Sequence, residues 1–294
     1  MPDGKITHER RVYDLNGLLL QLAKGDDLAA ETSRLYRAAR ASAVLDHEIQ
    51  VAAEIQRALL PAAVYKAGRF EVATASSPCR AIGGDFLDCF DLPDGRFGFV
   101  LGDVAGKGPP AALLAARLQG MFAAYSTVIC GTSEMVARIN RELARRSVDA
   151  RFATLFYGVL SPDGRLTYCN AGHNAPLVVG ESGVRRLETG GVPTGLFPDA
   201  TFNEEAVLLD PRDVVIVFSD GVVEALDRDG VEFGEDRSLS AVKSNQCTSA
   251  ADLLNEIMSS VREFASGAEQ VDDITALVLR LDAVSVTTVC VAAV

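Results

Sequence analysis

Residues 83–103 have the sequence GGDFLDCFDLPDGRFGFVLGD, in which two strand-like runs flank a Pro-Asp-Gly turn. Proline presets the turn backbone and glycine tolerates positive φ, so this tripeptide between apolar runs predicts a β-hairpin. Asp85 precedes the first strand of the hairpin, and Asp103 follows the second. Antiparallel pairing around the turn therefore brings the two carboxylates to the same end of one sheet.

Two further acidic stretches lie at the ends of apolar runs. Asp220 ends the run that begins at Val214, and the pair Asp272-Asp273 precedes the run 274–281. Strand order is not fixed by the sequence, so the convergence of these acids on the hairpin is inferred from their number and their glycine neighbours. For any single one of them, a turn residue or a helix cap is the competing interpretation.

A cluster of four carboxylates would need a counter-charge. Two unit charges about 4 Å apart repel by roughly 4 kcal/mol at an effective dielectric constant near 20. Either some of the acids are protonated, or a divalent cation neutralises them. Oxygen ligands without histidine or thiolate favour Mg²⁺ or Mn²⁺ over zinc, and neighbouring glycines let the backbone approach such an ion closely.

The composition argues against several classes of function. A formal net charge of −12 disfavours binding to nucleic acid or to an anionic membrane. The six cysteines form no C-x-x-C pair and the chain has three histidines, so we expect reduced cysteines in a cytoplasmic protein and no zinc site. The N-terminus does not resemble a signal peptide, and the uncharged run 283–294 is too short to span a bilayer.

Residues 1–60 have a helical pattern. Gly25-Asp26-Asp27 separates two predicted helices over 7–24 and 27–60. The second helix has a weak heptad seam that either dimerises the chain or packs on its own domain, at positions Leu35, Ala38, Ser42, Leu45, Ile49, Ala52, Gln56 and Leu59. We therefore divide the chain into a helical linker, regulatory or dimerisation segment (1–60), a globular domain (61–282) and a C-terminal tail (283–294).

From Pro61 onward the pattern is rich in β-structure. Strands are predicted over 70–76, 86–92, 96–102, 154–160, 165–170, 175–179, 205–209, 214–219 and 274–281, and helices over 109–129, 132–147 and 249–265. This order lacks the strict alternation of a doubly wound parallel sheet. It favours antiparallel sheets that are packed together and covered by helices.

Five short motifs occur in an order that is specific to one family. They are AIGGDF at 81–86, LGDVAGKG at 101–108, NAGHN at 170–174, FSDGV at 218–222 and DDIT at 272–275. Together they resemble the metal-dependent protein phosphatases of the PPM (type 2C) family, in particular its SpoIIE/RsbU-like bacterial branch. The resemblance covers about residues 54–281.

The resemblance implies an α+β fold, an αββα sandwich of two antiparallel β-sheets flanked by helices. It also implies a protein-serine/threonine phosphatase in which Mn²⁺ or Mg²⁺, as two ions, activates the water that attacks phosphoserine or phosphothreonine. By motif, Asp103 would bridge the ions, the Val104 carbonyl would help to bind one, and Asp85 would serve one directly or through water. The ligands of the other ion would be Asp220 and Asp272, with Asp273 as the fallback.

Two departures from the family pattern affect the catalytic chemistry. Ala105 stands where eukaryotic members have a histidine thought to act as general acid, so the leaving-group proton must come from water or another group. The phosphate-binding arginine of the eukaryotic enzymes has no clear counterpart. Arg80 and Lys107 are candidates for phosphate contact, although Lys107 is equally compatible with a solvated loop. His173 lies in a predicted turn, and we interpret it as a structural residue.

The resemblance further implies a substrate and a mode of regulation. In the bacterial branch the substrate is usually a phosphoserine on a STAS-domain anti-anti-sigma-type protein within a partner-switching pathway. The N-terminal segment would relay a signal, and the helical region 109–147 would move. The alternatives are a catalytically silent PPM-fold regulator that binds a partner and a small-molecule phosphoesterase. The intact acids in all four acidic stretches favour the active phosphatase.

Overall fold

The structure is a computed structural model that describes residues 28–67, 69–129, 131–145, 151–244 and 248–281. The predicted helix 7–24 and the tail 283–294 lie outside these ranges. The chain divides into two compact units, one of residues 1–52 and one of residues 53–294. The domain boundary at residue 60 stays a prediction from the sequence.

Helix α1 spans Leu28–Leu59, within one residue of the predicted limits at both ends. Leu60 precedes Pro61, and a residue before proline disfavours helical backbone, which ends the helix there. Between residues 31 and 52 the side chains are mostly exposed, including Tyr36 at 69% and Leu45 at 56%. Of the apolar seam positions, Leu45 is exposed and Leu35 and Ile49 are partly exposed, and dimerisation through the seam stays a prediction.

The β-strands form two sheets, as the sequence predicts. The first sheet is antiparallel throughout and consists, in spatial order, of β1 (Val64–Ala67), β2 (Phe70–Ser77), β12 (Ile274–Leu281), β11 (Val214–Phe218), β7 (Leu177–Gly180) and β8 (Gly183–Arg186). The second consists of β10 (Glu205–Leu208), β6 (Arg165–Ala171), β5 (Ala153–Leu160), β4 (Phe97–Val104) and β3 (Phe86–Asp91), with the two-residue strand β9 (Gly190–Gly191) parallel to β6. A 3₁₀ turn at Pro93–Gly95 joins β3 to β4, as the hairpin prediction requires.

Helices cover the outer face of each sheet. The described residues contain five more α-helices, namely α2 (Pro109–Tyr125), α3 (Thr132–Arg145), α4 (Asp220–Val223), α5 (Glu235–Ser244) and α6 (Ala250–Phe264). The pair α2 and α3 packs on the second sheet, and α5 and α6 pack on the first. The sequence does not predict α4 and α5, because α4 has four residues and the sequence EDRSLSAVKS of α5 is mostly polar. None of the helices in the described ranges has an apolar segment long enough to cross a bilayer.

Three hydrophobic layers result from this arrangement. Val215 and Val217 of β11 face the core between the sheets, whereas Ile216 and Phe218 face the layer under α5 and α6. Because both faces of the strand are buried, its sequence is a continuous apolar run rather than an alternating one. The αββα sandwich expected from the sequence is confirmed.

Candidate metal centre

The hairpin places Asp85 and Asp103 side by side at one edge of the second sheet. Phe86 pairs with Gly102, so the residues just outside this pair are neighbours. The prediction that β4 ends before Asp103 is wrong by two residues. β5 continues the ladder, pairing Asp103 with Thr154 and the next residue, Val104, with Ala153. Asp103 is therefore held in a strand instead of a loop.

The loop before β3 lies directly against these strand ends. The Val104 N–H donates to the Gly84 carbonyl at 3.3 Å. A Cβ atom built on Gly84 would lie 2.8 Å from the Val104 carbonyl oxygen and 3.2 Å from Asp103 Oδ1. Only glycine allows so close an approach without a shift, so Gly84 leaves a gap beside two candidate ligand oxygens.

The remaining acids converge from the first sheet. Phe218 pairs with Ala276, and the Ser219 N–H donates to the Thr275 carbonyl at 2.9 Å, so the end of β11 meets the start of β12. The Ser219 hydroxyl also donates to the Asp273 carbonyl at 3.2 Å. Asp220 then begins α4, with Ser219 as the N-cap residue, instead of simply ending the strand.

Asp273 has a structural task. Its Oδ1 accepts the Cys79 N–H at 2.8 Å, and its Oδ2 accepts the N–H groups of Gly84 at 2.7 Å and Asp85 at 3.3 Å. The side chain is buried, and it connects β12 of the first sheet to the loop that enters the second. We call these three hydrogen bonds the Asp273 clamp. They occupy both carboxylate oxygens, which makes Asp273 less available to a metal ion than its neighbour.

Asp272 has a different environment from Asp273. Its side chain is 36% exposed and forms an ion pair with Lys107 at 2.9 Å between Nζ and Oδ2. The Lys107 ammonium also donates to the Val271 carbonyl. Lys107 thus occupies the position of a counter-ion to the acids, and Arg80 is exposed on the adjoining loop.

The acids are crowded enough to shift their pKa values. Burial, followed by the charge of Asp220, raises the pKa of Asp103 to about 7. Burial raises the pKa of Asp85 well above its usual range, and the Asp85 Oδ2 atom is buried with no hydrogen bond from any described residue. Burial and the charge of Asp272 raise the pKa of Asp220. The cluster holds more negative charge than its surroundings stabilise.

These features fit a hard divalent cation. The donors are carboxylate and carbonyl oxygens, one buried oxygen has no partner, and the gap at Gly84 faces the Val104 carbonyl. Mg²⁺ and Mn²⁺ prefer such a ligand set. The residues positioned to hold these ions are Asp85, Asp103, Val104, Asp220 and Asp272, with the Asp273 clamp supporting them. Their roles as ligands stay predictions.

Two supporting contacts could not be found from the sequence. Gln56, which the sequence places in the heptad seam, brackets Gly83: its Nε2 donates to the Gly83 carbonyl at 2.8 Å, and its Oε1 accepts the Gly83 N–H at 3.1 Å. Arg151 donates to the Ala105 carbonyl at 3.0 Å. The only available signal for Arg151 is that it lies two residues before the strand that pairs with Val104.

His173 is buried next to β5. Its Nδ1 lies 3.0 Å from the hydroxyl of Thr154, the residue that pairs with Asp103. Its backbone N–H donates to the Asn170 side chain at 2.8 Å. Burial lowers the pKa of His173 to about 4, so the imidazole is neutral at physiological pH. We keep the interpretation of His173 as a structural residue.

We expect the isosteric substitutions Asp272→Asn and Asp273→Asn to differ in a metal-free sample. Asn at 273 presents an NH₂ group to a backbone N–H, so the free energy of unfolding should fall by about 2 kcal/mol or more. Asn at 272 loses an exposed ion pair, which costs about 1 kcal/mol or less, but it should weaken Mn²⁺ binding. Chemical denaturation with EDTA and Mn²⁺ titration measure the two effects. Equal destabilisation by both substitutions would contradict the clamp.

We also expect stabilisation by metal to grow with pH. The folded-state pKa of Asp103 lies above the unfolded value, so its contribution to stability is present below about pH 4 and is lost as the pH rises through about 7. A divalent cation replaces the bound protons. The Mg²⁺-induced rise in melting temperature should therefore increase between about pH 5 and about pH 8. The exposed-turn variant Asp94→Asn should follow wild type, and a pH-independent increment would contradict the assignment.

Known proteins resemble this chain in sequence. A family model described as Stage II sporulation protein E (SpoIIE) matches residues 93–282. Protein IcfG of Synechocystis sp. is 28% identical over 257 residues, covering 78% of this chain and 40% of IcfG. The phosphoserine phosphatase RsbU of Bacillus subtilis is 28% identical over 238 residues, covering 79% of this chain and 70% of RsbU. The chain thus spans less than half the length of IcfG.

Solved structures share the fold. The SiaA-PP2C domain of Pseudomonas aeruginosa superposes with a TM-score of 0.70 at 19% identity, covering 83% of this chain and 99% of that domain. The phosphatase domain of Bacillus subtilis SpoIIE with a fragment of its regulatory domain gives a TM-score of 0.61 at 18% identity, covering 74% and 64%. The family model extends over more than half of the chain, so this protein belongs to the SpoIIE family, the SpoIIE/RsbU-like branch of the PPM phosphatases that the five motifs predict.

Proposed function

We propose that this chain is a metal-dependent protein phosphatase that hydrolyses phosphoserine or phosphothreonine. The observation that carries the proposal is the electrostatic coupling of Asp103 to Asp85, Asp220 and Asp272. In this cluster, the Asp85 Oδ2 atom is buried with no hydrogen-bond partner among the described residues. Relatives named as phosphoserine phosphatases support the reaction type. A structure of RsbX in complex with magnesium superposes with a TM-score of 0.59 and supports a divalent cation here.

The chain would contribute carboxylate oxygens and the Val104 carbonyl oxygen as ligands. Bound Mn²⁺ or Mg²⁺, most simply as two ions, would act as a Lewis acid toward the phosphoryl group and activate a water molecule. Asp103 interacts electrostatically with Asp85, Asp220 and Asp272, so we expect both ions to share it, with Asp85 serving one ion and Asp220 and Asp272 the other. The Asp273 clamp and the hydrogen bonds from Gln56 to Gly83 hold the Gly83-Gly84 loop beside these oxygens.

Lys107 is the better-placed of the two candidates for phosphate contact. It forms an ion pair with Asp272. A divalent cation at Asp272 would neutralise this carboxylate and release the ammonium toward an incoming phosphate. Arg80 is exposed on the loop beside Cys79 and would reach a phosphoprotein from the rim. Ala105 has no side-chain group that can donate a proton, so the leaving-group proton would come from water or another group.

The substrate we propose is a phosphorylated STAS-domain protein of the anti-anti-sigma type, within a partner-switching pathway in the cytoplasm. The family membership and the likeness to RsbU support this substrate class. A catalytically silent regulator and a small-molecule phosphoesterase are the competing functions. The complete set of acids favours catalysis, because a silent module has no need for a buried cluster that costs stability.

Asp103→Asn should abolish the reaction and leave the fold intact. The substitution removes a charge from the centre of the cluster while preserving its volume. The assay is Mn²⁺-dependent phosphate release from a phosphoserine STAS protein, compared with a generic phosphate ester. We expect a loss of at least about 10³-fold, since the residue would hold both ions.

Asp163→Asn, in an exposed turn of the second sheet, is the matched control and should retain full activity. Near wild-type turnover of Asp103→Asn would refute the two-metal assignment. Turnover of the generic ester but not of the phosphoprotein would support the small-molecule alternative. No turnover of either substrate would support the silent regulator.

We propose that the N-terminal helical segment regulates this site, as a dimerisation element or as the docking site of a partner. The support is twofold. Apolar side chains along residues 31–52 are exposed, and the last turns of α1 contact the metal loop through Gln56. The α2 residue Gln119 also donates to the Leu59 and Leu87 carbonyls, at 2.8 and 2.9 Å. The region 109–147 is the proposed moving part, since it follows the bridging aspartate directly.

Removal of residues 1–53 tests this regulation. If the segment dimerises, light scattering or crosslinking should show a dimer for the full chain and a monomer for the 54–294 protein. If the segment docks a partner, the phosphatase activity should change without a change in mass. An identical mass state together with identical activity would contradict both forms of the proposal.

A further inference from the structure

Arg151 extends the contact between β4 and β5 beyond the end of their ladder. Val104 pairs with Ala153, and the Ala105 N–H then donates to the Phe152 carbonyl at 2.9 Å. The Arg151 side chain adds the next hydrogen bond, from its Nη1 to the Ala105 carbonyl at 3.0 Å. Both polar backbone groups of Ala105 are therefore held from the side of β5, the second of them by a side chain.

The backbone that carries Arg151 is itself anchored. Ala153 and Thr194 exchange two backbone hydrogen bonds, at 2.8 and 2.9 Å, and the buried Thr194 hydroxyl also donates to the Ala153 carbonyl at 2.9 Å. A Cβ atom built on Gly195 would lie 3.3 Å from the Arg151 carbonyl oxygen. The start of β5 is thus held between β4 and residues 194–195, so the arginine side chain leaves from a fixed point.

The hydrogen bond of Ala105 sets the direction of the carbonyl that precedes it. The N–H and C=O groups of a trans peptide point in opposite directions. Because the Ala105 N–H points toward Phe152 of β5, the Val104 carbonyl points away from β5. Its oxygen lies 2.8 Å from the position that a Cβ atom on Gly84 would take. The candidate ligand oxygen thus faces the gap at Gly84 because β5 holds the other edge of its peptide.

The guanidinium also fixes the residue that follows. A Cβ atom built on Gly106 would lie 2.5 Å from Arg151 Nη1, so the guanidinium packs directly on this glycine, whose φ of +103° few other residues adopt. The Gly106 carbonyl oxygen lies 3.3 Å from the same Cβ position of Gly84. The turn at residues 105–106 therefore brings a second backbone oxygen to the gap, and Arg151 contacts both residues of the turn.

We propose that Arg151 is a positioning residue of the metal centre. It holds the turn at residues 105–106 so that the carbonyl oxygens of Val104 and Gly106 both border the gap. There they would serve a divalent ion and its water ligands, of which Mg²⁺ usually keeps several. The inference rests on the metal centre of the proposed function, and it adds a residue that none of the five sequence motifs contains.

The charge of Arg151 lets an experiment separate position from electrostatics. A guanidinium stays cationic at any pH at which the protein is folded. By charge alone, removing a cation from the edge of an acidic cluster would strengthen the binding of a divalent ion. By position, the removal releases the turn and should weaken binding, because losing a group that orients metal ligands typically costs about 10- to 100-fold in affinity. The two roles predict opposite changes.

Mn²⁺ titration of the full-length chain measures this affinity without relying on activity, because the electron paramagnetic resonance signal reports the free ion. Arg151→Met keeps the apolar stem and removes the charge and the donors, and its Mn²⁺ affinity should fall by about tenfold or more. Arg151→Lys keeps the charge but loses the planar group that packs on Gly106, so its affinity should also fall, by a smaller factor. Arg141→Ala, at an exposed position of α3, is the matched control and should bind as wild type does.

An Mn²⁺ affinity of Arg151→Met equal to or above that of wild type would overturn the inference. If chemical denaturation in EDTA shows that this variant does not fold, Arg151→Lys decides, and wild-type affinity in that variant would also overturn it. Arginine-dependent Mn²⁺ binding without phosphatase activity would refute the proposed function alone. Phosphatase activity with Mn²⁺ binding that is independent of Arg151 would refute the positioning role alone, and absence of Mn²⁺ binding in wild type would refute both.

Discussion

The Asp273 clamp is the interaction on which the rest of this centre depends. A single buried carboxylate binds three backbone N–H groups from the loop that enters the second sheet, while its own backbone leads into the last strand of the first. Charge-assisted hydrogen bonds to buried backbone groups are among the stronger polar contacts in proteins. Because the clamp joins the two sheets at one edge, it holds the loop before β3 close to the acids that precede β12 and follow β11.

The clamp also explains why residues 83 and 84 are both glycine. Gly83 and Gly84 contact Asp273, Asp103 and the Val104 carbonyl so closely that a Cβ atom at either position would collide with them. The same absence of side chains that permits the clamp leaves the gap beside the candidate ligand oxygens. Gln56 then fixes Gly83 from the opposite side. The end of α1 is therefore joined by two hydrogen bonds to the loop that borders the candidate ligands.

The sequence alone predicts the parts of the site whose residues lie close together along the chain. The Pro93–Gly95 turn makes Asp85 and Asp103 neighbours, since hairpin register follows from turn position. Asp220 and Asp272 come together because β11 lies next to β12. The family resemblance implied that these acids share a site, but the periodicity of the sequence could not predict which strands are neighbours. The distinct tasks of Asp272 and Asp273 depend on contacts with residues about 190 positions away in the chain. In the sequence, Gln56 is a polar residue at a core position of the heptad seam. Its partner is the Gly83 backbone, and no sequence pattern indicates that contact.

The charge balance connects these observations. The cluster contains carboxylates whose protonated forms are favoured by burial and mutual repulsion, with the Lys107 ammonium beside them. Burial and mutual repulsion favour the protonated acids, so any cation that binds them has to compete with protons. At Asp272 it also has to compete with the Lys107 ammonium, which already pairs with this carboxylate.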